Sequence, residues 1–112
     1  MTVQNLKDPQ AVIARSMSEK ALSDNIVSLA RVLGWKVHRD PTWRATGTDP
    51  GYPDLTLARA TGDLLFVELK SEAGALTAAQ RDWQAALVAA GARYYVWRPS
   101  NWLAGEVEQV LR

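Results

Sequence analysis

The chain contains no cysteine. That excludes disulfides and thiolate-bound metals, and it is compatible with a reducing cytosol. Charge of one sign is also missing: 13 Lys and Arg stand against 12 Asp and Glu, a net of +1. A protein that binds nucleic acid by bulk charge is strongly basic, so any such partner requires basic residues gathered on one face. Arg39, Arg44, Arg59, Lys70, Arg93 and Arg98 are the candidates, against the alternative of scattered solvated arginines. No apolar run is long enough to span a bilayer, which speaks against a membrane partner. The opening residues Met1–Asp8 lack the charged-then-apolar build of a signal peptide. There is no internal repeat and no low-complexity tract. What is present is 112 residues, 47% of them hydrophobic, enough for one small globular domain.

Residues 1–17 show no clear period and read as an arm, flexible or loosely packed, with room for a helical turn near Pro9–Arg15. A single domain follows over 18–112. Ser18 is a good N-cap, and Leu22, Ile26, Leu29, Ala30 and Leu33 form a helical stripe that stops at Gly34. Glu19 falls in line with that stripe, so it is either a dipole-favoured first-turn acid or an acid aimed at the domain. Trp35–Arg39 alternates as a strand. The loop from Asp40 to Gly51 is long for a compact domain, which favours a functional role. Asp54–Arg59 and Leu64–Lys70 read as two further strands joined by Ala60-Thr61-Gly62-Asp63, a turn composition. Thr77-Ala78-Ala79-Gln80 is a capping box opening a helix that ends near Ala90 at Gly91, with Trp83, Leu87 and Ala90 on its buried side. Arg93–Arg98 is a fourth strand, parallel to the third because a helix crosses over between them. A last helix spans about Trp102–Leu111, with Ser100 as its cap and Leu103, Val107, Val110 and Leu111 as its apolar contacts. The order is α-β-β-β-α-β-α, an α/β fold with a mixed four-stranded sheet flanked by helices.

The chemistry gathers at the second and third strands. A hairpin folding about residue 61 places Asp54 opposite Glu68, with Cβ atoms about 4.5–5.5 Å apart. A turn centred slightly later brings Leu69 or Lys70 opposite instead. Glu68 and Lys70 share a face because side chains alternate along a strand. Two carboxylates about 4 Å apart repel by roughly 4 kcal/mol at an effective dielectric of 20. A raised pKa, Lys70 or a bound cation relieves that cost. Mg²⁺ is held by one or two carboxylates together with waters and phosphates, so the trio suits a hard cation working on a phosphate. The alternative is an exposed cross-strand salt bridge worth at most about 1 kcal/mol. No convincing Ser/His pair offers a covalent nucleophile.

The ordered segments Ser18-Glu19-Lys20, Gly34-Trp35, Gly51-Tyr52-Pro53-Asp54-Leu55, Phe66-Val67-Glu68-Leu69-Lys70, Leu76-Thr77-Ala78-Ala79-Gln80 with Trp83, and Gly91 followed by Val96-Trp97-Arg98-Pro99 resemble the PD-(D/E)XK nuclease superfamily. More narrowly, they resemble the small stand-alone VRR-NUC proteins common in phages, over roughly residues 18–103. The resemblance implies a restriction-endonuclease-like core and a metal-dependent DNA endonuclease, selective for branched structures such as four-way junctions. It implies Mg²⁺ or Mn²⁺ held by Asp54, Glu68 and the Leu69 carbonyl, with Glu19 binding the metal or orienting its water. Lys70 would position or activate the attacking water, or stabilise charge on the phosphate. Gln80 matches a glutamine near the site, although its capping role already accounts for it. His38 and Arg44 could touch phosphate. A homodimer working in the cytoplasm, the host's if the chain is phage-encoded, is also implied. A non-catalytic nucleic-acid-binding relative and a plain interaction module are the alternatives.

Overall fold

Ser18 caps its helix as its position in the sequence requires, its hydroxyl accepting from the Ala21 N–H at 3.0 Å. The computed structural model describes residues 8–40 and 49–112. Its elements are α1 (Pro9–Ser16), α2 (Glu19–Val32), β1 (Lys36–Arg39), β2 (Leu55–Arg59), β3 (Asp63–Leu69), α3 (Ala78–Ala89), β4 (Arg93–Trp97), α4 (Pro99–Leu103) and α5 (Glu106–Leu111). The strands form one sheet in the order β1-β2-β3-β4. The first two pairings are antiparallel, and β3 and β4 run parallel. This is the mixed, helix-flanked, restriction-endonuclease-like α/β arrangement that the order of elements predicts.

Alternation along the strands sends Leu55, Leu57, Leu65, Val67 and Leu69 to one face, where each is at most 3% exposed. Leu22, Ile26 and Ala30 of α2 and Val107 and Leu111 of α5 close over them. Fully burying a side chain of this size contributes about 1.5–3 kcal/mol, so this face holds the fold together. The other face is only partly covered. Trp83 and Leu87 of α3 are half-buried and Ala90 is exposed, and no α3 residue is fully buried. The expected buried side of this helix is therefore a half-buried one. The helix packs on β4, leaving Ala58 exposed and Leu64 48% exposed.

Two further segments go beyond expectation: the helical turn allowed near Pro9–Arg15 is a full helix, and the last helix is divided. The part of the N-terminal arm that is described is largely an eight-residue helix, Pro9–Ser16. Asp8 caps it through the Gln10 N–H at 3.0 Å, and it packs on α4 with Ala14 buried. Its sequence shows no period because one small side chain is all that it buries. The last helix is two pieces. Pro99 opens α4, with the Asn101 side chain accepting from the Arg98 N–H at 2.7 Å, and Gly105 at φ 81 separates α4 from α5.

Topology decides where chemistry can sit. Arg59, Asp63 and Arg93 lie at one end of the sheet, whereas Asp40, Asp54, Glu68 and Lys70 lie at the other. The helices α2 and α3 both begin at this second end, which brings Glu19 and Gln80 beside the strand termini. No helix among the described residues is long and apolar enough to cross a membrane.

Candidate active site

The β2–β3 register pairs Leu55 with Val67. Continued by one residue, it sets Asp54 opposite Glu68, the partner expected from a turn about residue 61. Asp54 is fixed from both flanks. Its Oδ2 accepts from the Leu69 N–H at 2.8 Å, and its carbonyl accepts from the Asp40 N–H at 2.8 Å. Pro53, fully buried, brings the chain into the strand where a missing donor costs least.

Glu68 is 2% exposed. Its Oε2 accepts from Gln80 Nε2 at 2.9 Å, while its Oε1 is sealed from solvent and faces no donor among the described residues. The Asp54 and Glu68 carboxyls are close enough to share a proton. Burial first, and then the charge of Asp54, push the Glu68 carboxyl up. Burial also raises Asp54, against the hydrogen bonds from Glu68 and Leu69 that favour its charge. Glu68 is thus the member that keeps the proton when no cation is present.

Lys70 is half-buried, and its ammonium acts on both acids, lowering their proton affinity. Its backbone N–H continues the sheet to the Trp97 carbonyl at 3.1 Å. Glu19 stands at the rim. Its charge raises both Asp54 and Glu68, and its Oε2 accepts from the Ser71 N–H at 3.3 Å. Among the described residues, no three acidic or histidine side chains are gathered closely enough to share one ion. Two of the expected acids meet, and the third lies beside them.

The other expected residues divide. Gln80 turns inward rather than toward a substrate: its Oε1 accepts from the Thr77 N–H at 2.9 Å while its Nε2 holds Glu68. One side chain both completes the helix cap and orients the acid. His38, exposed, pairs with Thr56 in the register and so shares the sheet face of Asp54. Arg44 lies outside the described residues. The described basic residues do not form a single face. Arg39 pairs with Asp24 at 2.9 Å. Arg59 and Arg93 flank Asp63 at the far end of the sheet. Arg98 spends its Nη1 on the carbonyls of Ser71, Glu72 and Gly74, at 2.8, 3.3 and 2.6 Å. It thereby pins the loop that follows Lys70.

Sequence reasoning missed Asp40. It is 8% exposed, its Oδ2 has no partner among the described residues, and the β1–β2 register sets it opposite Asp54. Its place at the end of an alternating strand was the available signal. The approach to the site was missed too. Gly51 lies on the first turn of α3, where a Cβ would come within 2.4 Å of the Ala79 carbonyl carbon. Tyr52 meets Trp83 edge to face at 5.0 Å between ring centroids.

The residues fit a hard divalent cation. The converging donors are oxygens. A buried carboxylate oxygen that faces no donor is what a cation would satisfy, and a cation would also replace the shared proton. A family model described as the VRR-NUC domain matches residues 3–101. No curated protein and no solved structure matches the chain.

Proposed function

The chain belongs to the VRR-NUC domain family, and from that premise we propose that it is a metal-dependent endodeoxyribonuclease acting on branched DNA. The observation that carries the reading is the pairing of half-buried Asp54 with buried Glu68, whose Oε1 faces no donor, beside a lysine that makes no ion pair among the described residues. Asp54, Glu68 and the Leu69 carbonyl hold Mg²⁺ or Mn²⁺. When bound, such an ion supplies Lewis acidity toward a phosphate oxygen and makes water a nucleophile at neutral pH. Gln80 holds Glu68 in place, and the Leu69 N–H does the same for Asp54. Lys70 positions the attacking water or neutralises charge that grows on the phosphate. Glu19 orients water from the rim. His38 and Arg44 meet the sugar-phosphate backbone, which positions the substrate without reading bases.

Two copies pair, each carrying a site, and the enzyme works in the cytoplasm. The half-covered sheet face, with Leu64 48% exposed, supports the pairing, which light scattering would test. Activity is tested with labelled four-way junction, flap and linear duplex, with and without Mn²⁺. Metal-dependent nicking, strongest on the junction and lost in Asp54→Ala and Lys70→Ala, is the expected outcome. Absence of cleavage on all three substrates, or undiminished cleavage by both folded variants, would overturn the reading.

A further inference from the structure

Strand β4 presents adjacent tyrosines to opposite faces of the sheet. Tyr95 points to the core side, stacked on Trp97 with ring centroids 5.1 Å apart, and its hydroxyl accepts from Arg93 at 3.3 Å. Tyr94 pairs with Phe66 in the parallel register, and Glu68 pairs with Val96. Tyr94 therefore shares the face of Glu68, one strand over and two residues back. With strands about 4.8 Å apart and a rise of about 3.3 Å per residue, their Cα atoms are roughly 8 Å apart, within reach of a phenol and a carboxylate.

The same face carries two rows across the sheet. Asp40, Asp54 and Glu68 stand in one, and His38, Thr56, Phe66 and Tyr94 in the next. Tyr94 is half-buried. Its hydroxyl makes no hydrogen bond among the described residues, unlike that of Tyr52, which meets Thr56 Oγ1 at 3.3 Å, or that of Tyr95. Nor is it among the sealed, partnerless polar atoms of the described residues, and the residue is part-exposed on the site face. Burial, and then the charges of Glu68 and Asp54, push the phenol up to about 12. The group stays protonated, and at this site it can act as a donor.

We infer that Tyr94 is a further catalytic residue, its hydroxyl donating a hydrogen bond to a non-bridging oxygen of the phosphodiester held over Asp54 and Glu68. This rests on the hydrolytic reading above. Lys70 and Tyr94 then flank Glu68 along the face. The lysine brings charge and the phenol brings a neutral donor whose protonation does not change across the working pH range. Hydrogen bonds between a neutral donor and an anionic oxygen are among the stronger ones.

The test is Tyr94→Phe in the full chain, with Tyr95→Phe as the variant that loses the same group on the opposite face. Single-turnover cleavage of junction DNA with Mn²⁺ should fall about 10- to 100-fold in Tyr94→Phe, with KM, circular dichroism and calorimetric Mn²⁺ affinity unchanged. Tyr95→Phe should keep the wild-type rate once folded. A wild-type rate in Tyr94→Phe, or a loss matched by weaker Mn²⁺ binding, would overturn the inference while leaving the hydrolytic reading in place. A wild-type protein that cleaves no DNA would overturn both.

Discussion

Glu68 carries a conflict between packing and charge. Its neighbours in β3, Val67 and Leu69, are core residues, and it is as buried as they are. An ionised carboxylate in such a place is costly without a partner, so the protein keeps it protonated until a cation replaces the proton. Glu68→Gln imitates that protonated state. The native wild-type protein holds a proton from the usual carboxylate range up to about 9, whereas the unfolded chain releases it. Stability without metal therefore falls as pH rises through that window. Metal-free Glu68→Gln should melt above the wild type at pH 8, with a smaller difference at pH 5, and should bind Mn²⁺ more than about 100-fold more weakly. Thermal melts in EDTA and calorimetry would show both effects. The same displacement makes Mn²⁺ affinity rise with pH, with release of about one proton per ion at pH 7. Calorimetry in two buffers of different ionisation enthalpy measures that release, and an absence of release would sink the shared proton.

At the scale of elements, the site depends on a hairpin and a helix start. The hairpin was legible because Gly62, at φ 99 in the turn, and alternation on both flanks allow few registers. The capping box at Thr77 was also legible, but the second use of Gln80 was not. Thr77-Ala78-Ala79-Gln80 explains its own amide locally, so the bond to Glu68, 12 residues away, leaves no mark in the sequence. The contact of Gly51 with α3 is likewise tertiary. Its φ of 82 and the 2.4 Å approach to the Ala79 backbone together forbid a side chain. Gly34 has a similar φ of 91 but open space around it. Gly34→Ala should cost about 1–2 kcal/mol from backbone strain alone. Gly51→Ala should cost about 3 kcal/mol or more and lower the cleavage rate, because the clash is with backbone that supports Gln80. Denaturant unfolding of the two variants compares them directly, and equal costs would rule out the close approach.

Across the whole molecule, the two ends of the sheet have separate tasks. At the far end, Arg59 stacks over the Trp35 ring at 4.2 Å, and both donate to the Leu111 carbonyl at 2.9 Å. Asp63 joins Arg59 to Arg93. This cluster ties the C-terminal helix to the sheet, away from the acids. Arg59→Ala should lower unfolding free energy by about 2 kcal/mol with no change in the cleavage rate of the folded protein. Chemical denaturation and single-turnover assays test that separation, and a rate that fell in the folded variant would join the two ends.

Local patterning alone determined most of the elements and the parallel return of β4, and it narrowed the partner of Asp54 to Glu68, Leu69 or Lys70, because periodicity, caps and turn chemistry act over a few residues. It did not determine which arginines would be spent on structure, that Glu19 would stand at the rim, or that Asp40 and Tyr94 would share the acids' face. Those outcomes depend on which strand lies beside which and which helix covers the result. Only packing that joins distant segments decides such neighbours.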